Sequence, residues 1–294
     1  MSVVAQRILR AACIRLLAAA AVVLLAGLAG ATLVRFAPGF GTDERELDSR
    51  LSSESISALR AHNARDANVL VFYARYLGGI THGDFGMSRT FPQPISQLVK
   101  ERAPATIRNI GYGLAMAWSL ALALTLTATA AQKPAADIVF SAAAGALISL
   151  PATVIGLLAV IARKPASFAI AAALFPLLYR YARNVVQSEW ERPWIMAARA
   201  RGIGKARTLL RHVLCASAPQ LLALAGVSLN MAFGAALPVE VIADSPGIGQ
   251  LAWQAALGRD LPLLVTVTGI VAAITLLGNA AATLAQQALQ PEQA

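Results

Sequence analysis

Two stretches of this chain, residues 110–131 and 140–161, contain no charged side chain. About 18 such residues in a row, taken as a helix, cross a hydrocarbon core of roughly 30 Å. Inside lipid every backbone polar group needs an internal partner, so segments of this length and composition are read as helices. The competing reading is a large soluble α-protein with buried core helices. It fails on composition: 57% hydrophobic and 14% charged residues leave too few polar groups to cover a water-facing surface. The expected fold class is therefore an all-α membrane protein.

Six transmembrane helices are expected, near residues 16–34, 107–131, 136–161, 167–186, 213–237 and 261–284. The first could be read as a signal peptide ending at Ala29-Gly30-Ala31, but it exceeds the usual apolar length of about 7–15 residues, so retention is expected. Residues 1–34 then form an N-terminus with the first span, 35–106 a charged loop region, and 107–294 a five-helix core. Small residues such as Ser141-Ala142-Ala143-Ala144-Gly145-Ala146 allow helices to approach closely in lipid, where hydrophobicity gives no drive to associate. Pro151, Pro176 and Pro219 fall in or near the spans and are read either as tolerated kinks or as gating hinges.

The formal net charge of +10 does not mark a nucleic-acid binder, because the basic residues alternate with apolar spans instead of forming one stripe. They report topology instead. The N-terminal segment, the turn at Lys133 and residues 180–211 hold twelve of the twenty-five basic residues, whereas 43–101 is nearly balanced. By the positive-inside rule these basic segments face the cytoplasm, which puts both termini there and 35–106 outside. Arg163-Lys164-Pro165 breaks the rule locally. Cys13 and Cys215 have no metal-ligand spacing and are read as free thiols.

The segment 180–212 stays long and basic between two spans. Within it, residues 191–202 read as a short helix, with Pro193 in the first turn and Gly202 as the C-terminal cap. After Gly202-Ile203-Gly204 a second helix is expected from Lys205 into the next span. Small residues here suit either close docking on a partner or an inert linker.

In its details this segment resembles the inner-membrane permeases of bacterial ATP-binding-cassette importers for dipeptides, oligopeptides and nickel. Ala197-Ala198, Gly202, Arg211-His212 and Pro219 fit the signature of that family's cytoplasmic loop, and Tyr179-Arg180 with Arg183 fit the basic pair before it. Val34-Arg35-Phe36-Ala37-Pro38-Gly39, Gly83-Asp84-Phe85-Gly86-Met87-Ser88, Pro246-Gly247-Ile248-Gly249 and Gly258-Arg259-Asp260-Leu261-Pro262 resemble further family motifs in order. The chain departs from the pattern at Pro193-Trp194 and Met196, and in the short connection 163–166.

The resemblance implies a type I importer permease bundle in which 187–212 is the cytoplasmic coupling segment. Trp194, Met196, Ala197, Ala198, Arg199, Gly202, Gly204, Lys205 and His212 would then engage an ATPase. It also implies two ATPase subunits that bind ATP and Mg, a second related permease in a heterodimer, and a periplasmic substrate-binding protein. No cofactor, metal site or nucleic acid is expected on this chain. No Gly-rich loop ending in Gly-Lys-Ser/Thr occurs, and His62, His82 and His212 have no partnered nucleophile, so neither ATP hydrolysis nor other enzyme chemistry is expected. A secondary carrier would call for carboxylates in mid-span, whereas Asp137 and Glu240 lie near expected span ends. A scaffold without transport is the remaining class. Ser119, Ser149, Thr153, Ser228, Asn230 and Asn279 lie within apolar spans and are candidates either for a translocation path or for gluing helices together. The spans offer few groups that bind transition metals, which favours an organic polar cargo such as a peptide over free metal and leaves a metal chelate open.

Overall fold

A computed structural model describes residues 82–131 and 134–289, together with 21, 24, 25, 28, 29, 32, 78 and 79. The expected first span and most of the 35–106 region lie outside the described residues. The described part is helical: α1 (Ile95–Ala131), α2 (Pro134–Ile148), α3 (Ala152–Ile161), α4 (Ala166–Trp190), α5 (Pro193–Ala200), α6 (Lys205–Arg207), a π-helical turn (Thr208–Val213), α7 (Leu214–Ile242), α8 (Ile248–Leu257) and α9 (Leu261–Leu289). The described residues from 82 onward divide into two units: 104–250 with 274–289 form one, 82–103 with 251–273 the other.

The expected count of six spans is corrected here. Among the described residues three helices are long and apolar enough to cross a membrane, Ile95–Ala131, Lys205–Ile242 and Leu261–Gln287. A fourth span exists only if Ile138–Ile148 and Ala152–Ile161, bent by 96° at their junction, are taken together. The expected span 16–34 lies outside the described residues, and two physical causes account for the other two that are missing. The apolar run 136–161 is interrupted at Leu150-Pro151, where proline disfavours the helical conformation of the residue before it, and Pro151 itself is extended at φ −59°, ψ 145°. The expected span 167–186 falls within α4, whose charge-free part ends at Arg180, short of a membrane crossing. Pro176 and Pro219, by contrast, are carried inside continuous helices.

Within the larger unit α4 is the central element, packed against α7, α3 and α2. Ile170, Leu174, Leu178, Ala182 and Val186 recur at helical spacing and are essentially inaccessible. Small residues set the distances between helices. A β-carbon on Gly113 would meet the Ile170 side chain at 2.7 Å, and one on Gly226 would meet Ala282 at 2.5 Å, the close approach expected of helices that pack in lipid. The connection from α3 to α4 needs only residues 162–165, because Arg163 turns the chain in the left-handed region at φ 54° and Lys164 N–H bonds back to Ala159 O at 2.8 Å. On the outside, Ile107, Ile138, Val139, Leu157, Leu158 and Ile161 are exposed, a surface suited to lipid and costly in water.

In the smaller unit two motifs distant in sequence meet. Asp260 is buried at the N-terminus of α9, where one carboxylate oxygen accepts from Leu263 N–H at 3.1 Å. Its other oxygen accepts from Ser88 Oγ at 2.5 Å, Arg89 N–H at 2.6 Å and Thr90 N–H at 2.9 Å. One carboxylate thus caps a helix and holds the 88–90 turn. Gly258 allows this approach, since a β-carbon there would meet Thr90 Oγ1 at 2.2 Å.

Candidate functional site

The segment after α4 is built on a small apolar anchor. Val186 and Trp190 of α4, Ile195 of α5, and Leu209 and Val213 of the π-turn form one buried cluster, with Leu126 and Ala130 of α1 packed against it. Pro193 at the start of α5 supplies a preset φ where no intrahelical N–H bond is needed. Ile195 is fully buried while its neighbours Trp194 and Met196 are about half exposed, at 47% and 54%. The short helix is therefore pinned by one side chain and presents the opposite face. Arg199 lies over the Trp190 ring with its guanidinium carbon 4.9 Å from the centroid, a cation–π contact worth roughly 0.5–1 kcal/mol where exposed. Trp194 meets His212 edge-on at 6.4 Å, linking α5 to the π-turn.

The end of α5 follows from one glycine. Gly202 N–H bonds to Arg199 O at 3.0 Å and Ile203 N–H to Ala198 O at 3.4 Å. This is the paired pattern of a Schellman ending, which needs a left-handed residue at the turn. Gly202 supplies it at φ 83°. Gly204 then starts the next helix in an extended conformation. The Thr208 hydroxyl bonds back to Gly204 O at 3.2 Å, and Leu214 N–H reaches Leu209 O, a bond five residues back that belongs to the π-turn. Ala197 and Lys205 are exposed and Ala198 half-buried. All nine residues expected of the coupling segment thus lie between α5 and the π-turn, with Trp194, Met196 and Ala197 outward.

The six polar candidates in the spans are not alike. Ser228 is buried, donates to Ala225 O at 2.7 Å and accepts from Trp118 Nε1 at 3.1 Å. Asn279 packs where Gly226 leaves room, its Oδ1 standing 3.3 Å from the place of a β-carbon there. These two join helices. Ser149 closes on its own helix through Ala146 O at 2.6 Å. Ser119, Thr153 and Asn230 are exposed on α1, α3 and α7.

Sequence reasoning missed the most heavily bonded polar group of this unit. Glu240, completely buried in α7, accepts from Thr106 Oγ1 at 3.0 Å, Asn109 Nδ2 at 3.2 Å and Gly249 N–H at 2.9 Å. Thr106 Oγ1 in turn accepts from Ile248 N–H at 2.7 Å, and Asn109 also donates to Ser245 Oγ at 3.0 Å. The carboxylate leaves no room for a side chain at Gly247, where a β-carbon would meet it at 2.2 Å. The clasp therefore joins α1, the end of α7 and the 245–249 turn. Glycines at 247 and 249 shortly after Glu240, at the end of an apolar run, were the sequence signal for it.

Comparison with known proteins places the chain in a family. Residues 119–294 match the family described as binding-protein-dependent transport system inner membrane component. A putative peptide permease protein of Brucella ovis is 24% identical over 82% of this chain and 85% of its own length. The nickel import system permease protein NikB of Staphylococcus aureus is 22% identical over 89% of this chain and 84% of its own. The oligopeptide transport system permease protein AppB of Bacillus subtilis is 29% identical over 42% of this chain and 40% of its own.

Proposed function

We propose, from the premise that this chain belongs to the family of binding-protein-dependent transport system inner membrane components, that its 187–212 segment receives an ATPase and that its cargo is peptide-like. The chain is a multi-pass helical permease subunit of the inner membrane, a non-catalytic component of an ATP-binding-cassette importer whose hydrolysis belongs to partner subunits. The observation that carries the docking assignment is the division of α5 into a pinned and a free side. Ile195 is locked into the 186–213 cluster while Trp194, Met196 and Ala197 face outward. A push on the outward face would pass through Ile195, Leu209 and Val213 into α7 as motion of a packed body.

We place the 187–212 segment and the N-terminus in the cytoplasm and the 35–106 region outside, on the charge distribution. Two helices long and apolar enough to cross, Lys205–Ile242 and Leu261–Gln287, follow that segment, and one crossing by each would return the C-terminus to the cytoplasmic side. Single-cysteine labelling of sealed vesicles checks this: Arg199→Cys is expected to react only with reagent admitted to the inner face. Labelling from the outer face would reverse the assignment. A second, related permease and a periplasmic binding protein complete the proposed assembly.

For cargo, the relatives' names point to peptides and nickel. Peptide-like solutes are favoured because the exposed candidates Ser119, Thr153 and Asn230 are weakly polar, whereas a bare transition metal is drawn by imidazole, thiolate and carboxylate. Cys215, free and exposed, is the one thiol among the described residues. ATP-dependent uptake of labelled short peptides is expected in proteoliposomes holding the full complex and its binding protein. Uptake of free nickel without peptide would overturn this choice.

A further inference from the structure

The helix from Lys205 to Ile242 is continuous but not uniform. Over Thr208–Val213 its bonding slips from four residues back to five, with Leu214 N–H reaching Leu209 O. Single π-turns of this kind are rare inside α-helices and recur at functional sites. This one stands where α5 bears on the helix. Leu209 and Val213 of the turn share the buried cluster with Ile195 of α5, and His212 meets Trp194. A push on the outward face of α5 therefore enters the Lys205–Ile242 helix where, among the described residues, helical bonding is out of step.

Two features allow that bonding to change. Both ends of the turn keep ordinary helical conformations, Thr208 at φ −59°, ψ −46° and Val213 at φ −68°, ψ −48°, so a return to four-back bonding takes neither out of the helical basin. Thr208, fully buried, donates its hydroxyl to Gly204 O at 3.2 Å, an acceptor that its own N–H already uses at 3.0 Å. Back-bonding of this kind competes with the backbone ladder and bends a helix, here at the entry to the turn. A bonding shift of one residue is worth about 100° of rotation and about 1.5 Å of travel.

We infer that the π-turn Thr208–Val213 is a joint: movement of docked α5 is taken up there by a one-residue shift of bonding and delivered to α7 as rotation, with Thr208 as the positioning residue. The joint rests on the docking reading of α5 and adds to it, because a rigid relay through Ile195, Leu209 and Val213 needs no such turn.

Deletion of Leu210, which is 56% exposed, separates the two. It removes the extra residue and leaves a continuous α-helix in which Leu209 and Val213, now three apart, share a face. The complete importer is measured in proteoliposomes, with labelled short peptide, or nickel where the wild type carries that instead. The deletion is expected to keep ATPase co-purification, ATP hydrolysis and unfolding temperature at wild-type level while uptake is lost. Leu210→Ala, with the length kept, should transport as wild type. Thr208→Val leaves Gly204 O its backbone donor, so the unfolding temperature should not move, but uptake per ATP should fall about fivefold, the worth of one hydrogen bond. Thr208→Ser should restore it. Wild-type uptake per ATP in the deletion would overturn the joint and leave a rigid relay. Loss of ATPase binding in an inserted, assembled deletion would make the turn part of the docking surface and overturn the joint as well. If the deletion does not assemble, Thr208→Val and Thr208→Ser decide, and equal uptake per ATP in both overturns the joint. Absence of any ATPase from the wild-type complex would instead sink the docking reading, and the joint with it.

Discussion

Glu240→Ala is expected to destabilise the permease by about 3 kcal/mol or more, because a buried group that loses its partner costs roughly 1–3 kcal/mol and several are orphaned together. Thr106 Oγ1, Asn109 Nδ2 and Gly249 N–H would each lose their acceptor. None of these can turn to water, since Glu240 is wholly inaccessible and Thr106 and Asn109 are buried. Glu240→Gln keeps the shape but replaces one acceptor oxygen with a donor facing other donors, so about half of that loss should remain. Thermal unfolding of the complex in lipid nanodiscs measures both. An unfolding temperature equal to that of wild type for Glu240→Ala would mean that the clasp contributes nothing to holding α1, α7 and the 245–249 turn together. Asn109→Ala should fall between, because it removes one donor and leaves the carboxylate its other two.

Gly202→Val should separate docking from folding. No atom would obstruct a β-carbon at position 202, so crowding is not the cause. The backbone stands at φ 83°, a region that costs an ordinary residue roughly 1–2 kcal/mol and a β-branched one more. The Schellman bonds to Ala198 and Arg199 would be lost or strained, and the outward face of α5 would no longer be set at its present angle. About a tenfold loss of ATPase co-purification is expected, from the same 1–2 kcal/mol, with membrane insertion unchanged because the spans are untouched. Gly202→Asn, which tolerates the left-handed region, should retain most of the binding. Equal ATPase recovery from Gly202→Val and wild type would remove this turn from the docking role.

The contrast between these two sites shows what could be read from the sequence. The ending at Gly202 was legible because helix caps are written locally: Pro193 at the start, a glycine after Arg201, an apolar residue following. The sequence marks Gly202 as the cap, and the structure shows that the requirement there is its φ of 83° and not space for a side chain. Glu240 was passed over as an acidic residue near a span end, because its partners Thr106 and Asn109 lie 134 and 131 residues away. Asp260 was more accessible to inference, standing directly before Leu261-Pro262 as a helix cap, but its hold on the 88–90 turn was not. The span count failed for a different reason. Hydropathy along the chain cannot see a 96° break at Pro151, and it treats α4 like its neighbours although that helix is buried in the bundle and charged from Arg180 onward. The all-helical membrane fold itself was legible, because charge-free runs of such length leave the backbone few other ways to satisfy its hydrogen bonds.

The central claim is that this chain is a passage driven from outside itself, and uptake into sealed proteoliposomes tests it most directly. Radiolabelled peptide should accumulate only when the permease complex, its ATPase subunits, internal-face ATP and the external binding protein are all present. Omission of the ATPases should abolish uptake even under an imposed proton or sodium gradient. Gradient-driven accumulation by the permease without ATPase subunits would contradict the account and identify the chain as a carrier that cycles by itself.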